Sequence, residues 1–216
     1  MGEGLTGPPV DGPNSGVEAP SDEALMDAYV ARGDHAAFEQ LFRRYAPPLR
    51  AMAKRQLRSD ELARDIVQQT FLHVHRARRD FRRGARLKPW VFTIATNLIR
   101  EHYRRLGRRP ETSYDAARDA APGIEPTQDP VDLAELQARQ LDVGRLREAL
   151  GQLPDSQRLV IELHWIQGHS FPEVARMVGA SVSAVKVRAH RGYRKLRGLV
   201  AEARAATEAA PGEKEA

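Results

Sequence analysis

The residues best suited to chemistry in this chain are cations, spaced for holding an anion rather than for breaking a bond. Between Ser183 and Arg197 there are six Lys or Arg (Lys186, Arg188, Arg191, Arg194, Lys195 and Arg197) and no Asp or Glu. At roughly 100° per residue, Ser183, Val187, His190, Arg191 and Arg194 share one helix face, flanked by Lys186 and Arg188. Val182, Val185, Ala189, Gly192 and Leu196 form the opposite stripe, which is expected to pack inward. A basic face of this kind holds phosphates, or it is simply solvated.

The preceding residues favour the first reading. Ser170 with Glu173 three residues on is a capping box, and Pro172 falls in the first turn, where its missing N–H does no harm. A helix starting there carries Phe171, Val174, Ala175 and Val178 on one side, and Gly179 lets the chain leave it. Ser181 or Ser183 then caps the basic helix. This is the layout of a helix-turn-helix whose second helix enters the major groove.

A second concentration of cations lies upstream. Residues 78–88, RRDFRRGARLK, are the most basic run in the chain, loop-like because of Gly84. A helix follows from Pro89, with Trp90, Val91, Ile94, Ala95, Leu98 and His102 towards a core and Asn97, Arg100, Glu101, Arg104 and Arg105 pointing elsewhere. Cations beside Phe81, Trp90, Phe92 and Tyr103 supply charge for phosphates and rings for stacked bases, the combination single-stranded DNA needs. Each of those rings also has a core role open to it.

Nothing points to bond chemistry. His73 and His75 are two apart and His164 and His169 five apart, with no carboxylates at ligand spacing, and no G-x-S-x-G occurs. The absence of cysteine excludes disulfides and thiolate-bound zinc. No catalytic residue, metal or cofactor is therefore expected.

The elements that must position these cations are helices. Ser21 and Asp34 read as successive N-caps, with Gly33 between them; Leu25, Met26, Tyr29 and Val30 line the first helix. Ala37, Phe38, Leu41, Phe42, Tyr45, Leu49, Met52, Ala53 and Leu57 carry the stripe of the second past Pro47 and Pro48. The helix over Asp60–Ala77 turns Leu62, Ile66, Val67, Thr70, Phe71 and Val74 inward and Glu61, Arg64, Asp65, Gln68 and Gln69 outward. That mixed-polarity face is either solvated or a protein-binding surface. Later, Leu153-Pro154 opens a helix with Leu159, Val160, Leu163 and Ile166 inward, which Gly168 ends.

Charge divides the 216 residues into blocks: −3 for 1–20, +10 for 21–110, −6 for 111–138, +6 for 139–200 and −2 for 201–216. Two basic blocks of folded composition are separated by an acidic, Pro-containing stretch, a pattern expected for two small domains on a flexible linker with a polyanion as partner. The expectation is thus an all-α protein with a disordered tail at 1–20, domains at 21–106 and 139–200, a linker at 107–138 and a disordered tail at 201–216. No apolar run is long enough to span a bilayer and the first residues do not form a secretory signal, so a cytoplasmic location is expected.

In order and spacing, ARDIVQQTFLHVHRA (63–77), FRRGARLKPWVFTIATNLIREHYRR (81–105) and LPDSQRLVIELHWIQGHSFPEVARMVGASVSAVKVRAHRGYRKLR (153–197) resemble bacterial RNA polymerase sigma factors of the extracytoplasmic-function (ECF) group, within the sigma-70 family. The resemblance implies a factor that binds core RNA polymerase through the beta-prime clamp and beta flap and directs promoter-specific initiation. Asp65, Gln68, Gln69 and Phe71 fall where family members contact the clamp. Phe81, Arg82, Arg83, Arg86, Lys88, Trp90, Asn97, Arg100, Glu101 and Arg104 fall where they read and melt the minus-10 element. Ser183, Lys186, Val187, Arg188, His190, Arg191 and Arg194 fall where they read double-stranded minus-35 DNA. It also implies control by an anti-sigma factor, in this family often membrane-bound. Val187 stands where a small polar residue is frequent, and Gln69 where an acidic one is. A dimeric helix-turn-helix regulator is the rival reading, and it leaves 63–105 unexplained.

Overall fold

A computed structural model describes residues 19–107 and 143–208; residues 1–18, 108–142 and 209–216, which hold most of the expected tails and linker, lie outside it. Among the described residues every regular element is helical. These helices form two domains, within residues 19–107 and 143–208.

The first domain begins with α1 (Asp22–Arg32), capped by Ser21, whose hydroxyl accepts the Ala24 N–H at 3.1 Å. Gly33 closes it at φ 67°, a left-handed conformation that glycine adopts without strain. In α2 (His35–Leu57) Asp34 caps the start by accepting the Ala37 N–H at 3.0 Å. Its end, Arg58, lies at φ 56°, where a non-glycine residue is uncommon. Ser59 then caps α3 (Asp60–Arg76).

A 3₁₀ turn at Arg78–Asp80 leads into the basic loop, and α4 (Leu87–Arg105) follows. This helix starts two residues ahead of Pro89 because a distant side chain caps it: Glu23 on α1 accepts the Leu87 N–H at 3.0 Å. Pro89 is then accommodated in the first turn, as its missing donor requires. Helices α2, α3 and α4 pack on one another, with α1 against α2 and α4. Leu41, Leu49, Met52, Ala63, Val91, Ala95 and Ile99 fill the centre. Full burial of each larger side chain stabilises the domain by about 1.5–3 kcal/mol.

The second domain comprises α5 (Val143–Gly151), α6 (Asp155–Ile161), a π-helical turn at Glu162–Ile166, α7 (Phe171–Val178) and α8 (Val182–Glu208). Ser170 and Glu173 form the expected capping box, and Gly179 turns the chain at φ 65°. Of the two candidate caps for α8, Ser181 serves, accepting the Ala184 N–H at 3.1 Å. Helix α8 continues to Glu208, through the first half of the segment expected to be a disordered tail.

Helices α5, α6 and α7 all pack against α8. The crossing with α6 is so close that a Cβ added to Gly192 would lie 2.6 Å from Ile161 Cδ1. A larger residue there would force Ile161 to move. Finally, α4 of the first domain packs against α7 of the second.

Candidate nucleic-acid interface

Helix α8 presents Ser183, Lys186 and Arg194 to solvent, with His190 and Arg191 half-exposed. Val185, Ala189, Gly192 and Leu196 are buried as the periodicity requires. Two expectations on this helix are corrected. Val187, placed on the outward face, and Arg188, placed on its flank, are only 5% and 3% exposed. The reason is the embrace of α8 by three helices, which buries a wider arc than the single stripe a lone packing partner would cover. Val182 departs the other way: at the start of α8 it is substantially exposed.

The loop and α4 hold the second set. Arg82, Arg83, Arg86, Asn97 and Arg104 are exposed, and Lys88, Trp90, Arg100 and Glu101 half-buried. Glu101 pairs with Arg104 and, at 3.1 Å, with Arg105. The rings are mostly structural. Phe81 is buried with its ring centre 5.2 Å from that of Trp90, and Phe92 is fully buried between Tyr45 and His169. Neither is placed to stack on a base in this conformation; of the two roles open to these rings, packing is the one they take here. Tyr103 donates its hydroxyl to the Gln56 carbonyl at 2.5 Å. Trp90 is the half-exposed ring of the set beside the loop. His102, expected in the core, is half-exposed.

Between α2 and α3 lies an open groove of about 830 Å³, lined mainly by apolar side chains. Phe71 is its buried floor, with Phe42 at 4.7 Å and Phe38 at 5.8 Å between ring centres. Phe42, expected inward, and Leu72 are each 42% exposed. Gln68, Arg50, Arg64 and His75 complete the lining, while Asp65 and Gln69 are exposed on the same helix but outside it. At the rim Arg50 reaches Asp60 at 2.6 Å, and Lys54 and Arg64 approach the same carboxylate. The hydrogen bond from Arg50 holds the Asp60 carboxyl below its ordinary range.

Where the domains meet, further groups appear that the sequence did not single out. Glu162, on the π turn, is buried and accepts from Arg55 Nε at 2.6 Å and from Gln56 Nε2 at 3.4 Å. Burial pushes its carboxyl upward, against the lowering effect of Arg55. Arg86 Nη1 lies 3.1 Å from Glu173 Oε1. Partial burial raises the Glu173 carboxyl, but the Ser170 N–H and hydroxyl and the charge of Arg86 outweigh it, leaving a net shift downward. The Arg100 guanidinium lies against Gly179, 3.1 Å from where a Cβ would stand. His169 is buried against Phe92, neither ring nitrogen hydrogen-bonded, and desolvation lowers its pKa to about 4. The one signal for these groups was a carboxylate within an apolar run, LVIELHW, and it named no partner: Arg55 is 107 residues away.

Among the described residues no group of three or more His, Asp or Glu could hold a metal ion, and no helix is long and apolar enough to cross a membrane.

Known proteins share this arrangement. Residues 41–109 match Sigma-70 region 2, and residues 144–196 match Sigma-70 region 4. The chain is 38% identical over 170 residues to the RNA polymerase sigma factor CarQ of Myxococcus xanthus, covering 79% of this chain and 92% of that one. It is 32% identical over 180 residues to the ECF RNA polymerase sigma factor SigM of Mycobacterium tuberculosis, covering 83% and 85%. Among solved structures, the sigma factor RpoE of Bartonella quintana, in complex with the anti-sigma factor NepR, superposes with a TM-score of 0.55 at 29% identity, covering 76% of this chain and 96% of that one. Two sigma regions in the expected order, the basic loop and α4 within the first and the helix-turn-helix within the second, make the chain a member of the ECF sigma factors, transcription initiation factors of the sigma-70 family.

Proposed function

We propose that this sigma factor divides its work among three surfaces. The α2–α3 groove, with Gln68 at its edge, Phe71 as its floor and Asp65 and Gln69 beside it, receives the beta-prime clamp of core polymerase, and α8 engages the beta flap as well as DNA. The loop at 81–88 and the exposed side of α4 take the minus-10 strand, Arg82, Arg83, Arg86, Lys88, Arg100 and Arg104 serving phosphates, and Trp90 and Asn97 the bases. The exposed part of α8 reads minus-35 DNA through Ser183, Lys186, His190, Arg191 and Arg194. Val187 and Arg188 shape that helix from within.

The observation that carries this reading is the pairing, on one small domain, of an exposed apolar groove with an adjoining cationic loop. A DNA-binding regulator working alone needs the loop but not the groove. The chain supplies promoter selection and strand capture, and the phosphodiester chemistry belongs to the polymerase. Control by an anti-sigma factor follows from the same surface, since a protein filling the groove blocks polymerase, and the cytoplasm is where such a factor acts.

Run-off transcription from a genomic fragment library, with purified core polymerase with and without the protein, tests the proposal. Start sites that appear only on its addition are expected, sharing two elements at fixed spacing. Tight DNA binding by the chain alone, with no directed initiation, would return the reading to a dimeric helix-turn-helix regulator.

A further inference from the structure

His75 lines one end of the α2–α3 groove and has no role in the reading above. It is exposed, yet it is not free to turn. Its Nδ1 is hydrogen-bonded to the hydroxyl of Tyr29, a buried ring of α1, and its backbone carbonyl accepts from Arg78 Nη1 at 2.6 Å. The imidazole also meets Phe38 of α2 edge-on, with 6.4 Å between ring centres. Tyr29 in turn stacks on Phe38 at 4.5 Å, with the Arg78 guanidinium 5.9 Å from the tyrosine ring centre. Side chains from α1, α2 and the 3₁₀ turn thus fix an imidazole that stands at the surface.

The pairing also sets which nitrogen carries the proton. The Tyr29 hydroxyl meets no other acceptor among the described residues, so its hydrogen goes to Nδ1 and the neutral ring keeps its own on Nε2. Nε2–H is left as a donor without a partner among those residues. Arg64 and His75 lie within about 20° of one face of α3 and about 16 Å apart along its axis. Arg50 and Arg64, both on Asp60, make the far end of the groove cationic, and Phe71 lies between the two ends.

Resting on the reading of this groove as the polymerase face, we propose that His75, aimed by Tyr29, is a specificity-determining contact of that face, donating its Nε2–H to a carbonyl or carboxylate oxygen of the clamp surface that fills the groove. An apolar groove alone accepts any apolar ridge of fitting shape. A fixed donor at its end rejects a ridge that brings no acceptor, since the N–H then loses water and gains nothing. Tyr29 is the positioning residue: without its hydroxyl the imidazole takes either tautomer and half of the rings present the wrong nitrogen.

The affinity of the full chain for core polymerase, titrated by anisotropy, and the imidazole nitrogen shifts read by NMR test this. Wild-type His75 should show the Nε2–H tautomer, its signals assigned by their loss in His75→Gln. Tyr29→Phe, which removes only the hydroxyl, should show a mixture. His75→Phe should weaken polymerase binding about tenfold, the worth of one hydrogen bond whose partner is left unsatisfied. His75→Gln, whose side-chain amide can donate near the place of Nε2, should keep most of the affinity. Tyr29→Phe should weaken binding about threefold and cost nothing further in the His75→Phe background, because it acts through His75.

An Nδ1–H tautomer in the wild type, affinity unchanged by His75→Phe, His75→Gln as weak as His75→Phe, or a Tyr29→Phe penalty that persists in the His75→Phe background overturns the proposal. Should Tyr29→Phe lower the melting temperature enough to blur its binding, the wild-type tautomer and the two His75 variants decide alone. Phe42→Asp with Leu72→Asp separates this failure from that of the groove. If that variant binds polymerase as well as wild type, the groove assignment is wrong and His75 falls with it. If it loses polymerase while His75→Phe does not, the groove stands and His75 is not one of its contacts.

Discussion

Two faces of the first domain are both built to be covered, and only one of them is. The α2–α3 face is apolar at its centre, and Phe42 and Leu72 lie open. The α4 face is cationic at its edge, and it already carries α7, with Arg86 on Glu173 and Arg100 against the Gly179 turn. The difference follows from what each face offers a neighbouring domain. Glu173 and the backbone turn of α7 complement the arginines, whereas an apolar groove needs a partner with apolar side chains to insert. The free chain therefore presents its proposed polymerase face ready and its proposed promoter face partly occupied. That asymmetry implies an order in which polymerase is engaged first.

The largest effect expected concerns the open face. Phe42→Asp with Leu72→Asp alters side chains that are each 42% exposed and lie outside the domain centre, so the melting temperature should fall only modestly. If they are the central anchors of the polymerase contact, each costs about 2 kcal/mol or more, and affinity for core polymerase, titrated by anisotropy, should fall by at least about a hundredfold. Unchanged affinity would remove the groove from the comparison. Next in size is Gly192→Val, which drives methyl groups into Ile161 and should cost about 3 kcal/mol, the upper end for overpacking a close contact. Because neither Ile161 nor Gly192 lines the α2–α3 groove, this variant should lose minus-35 binding while keeping polymerase affinity, although the crossing adjoins the Arg55–Glu162 pair. A single cooperative melt that takes both activities together would show that the two domains are one folding unit.

What could be read beforehand follows the range of the interactions. Caps at Ser21, Asp34 and Ser170 and turns at Gly33, Gly168 and Gly179 are local, written within four residues, and they stand as expected. The end of α2 was not legible, because Arg58 adopts the left-handed conformation without the glycine that signals it. The start of α4 was misplaced because its cap, Glu23, comes from another helix. In the candidate site the exposed cations of the loop and of α8 were legible from charge and period. Val187 and Arg188 were misread because period gives the direction of a side chain from its own helix, while tertiary neighbours decide how wide the buried arc becomes; for Phe81 and Phe92 composition left stacking and packing both open, and the neighbours chose packing. The Arg55–Glu162 pair lay beyond either signal, since it depends on how two domains meet.

The covered face makes two smaller predictions. His169 is buried against Phe92 with its pKa lowered to about 4 by desolvation; Lys88, Arg86 and His164 also oppose its protonation, and Glu173 favours it. The sign follows from an ordinary value of 6.5 for an exposed imidazole. Above that pH neither the closed form, with α7 on α4, nor the open form holds the extra proton, and the His169 contribution to closure is whole. Between 6.5 and 4 the open form takes the proton and the closed form does not, so closure weakens as pH falls, by about 2 kcal/mol at pH 5. Energy transfer between dyes on Arg43→Cys and Lys195→Cys, exposed positions on different domains of a chain without cysteine, should therefore decline from pH 7 to pH 5, and His169→Phe should flatten that decline.

The smallest expected effect separates the charge pair from the seat of α7. Ser170→Ala removes the hydroxyl that accepts the Glu173 N–H and donates to its Oε2, a loss of about 1 kcal/mol for a capping side chain. The Ser170 backbone N–H still donates to Oε2 at 2.8 Å, so Glu173 keeps its orientation and Oε1 still faces Arg86. Thermal stability of the second domain should fall while interdomain transfer stays as it was. Glu173→Gln, by contrast, should keep much of the cap and weaken the hold on Arg86, lowering the transfer. If Ser170→Ala opens the chain as far as Glu173→Gln does, the fit of α7 against α4 holds the face closed and the carboxylate is incidental; if only the carboxamide opens it, the contact is electrostatic and rising salt should open it as well.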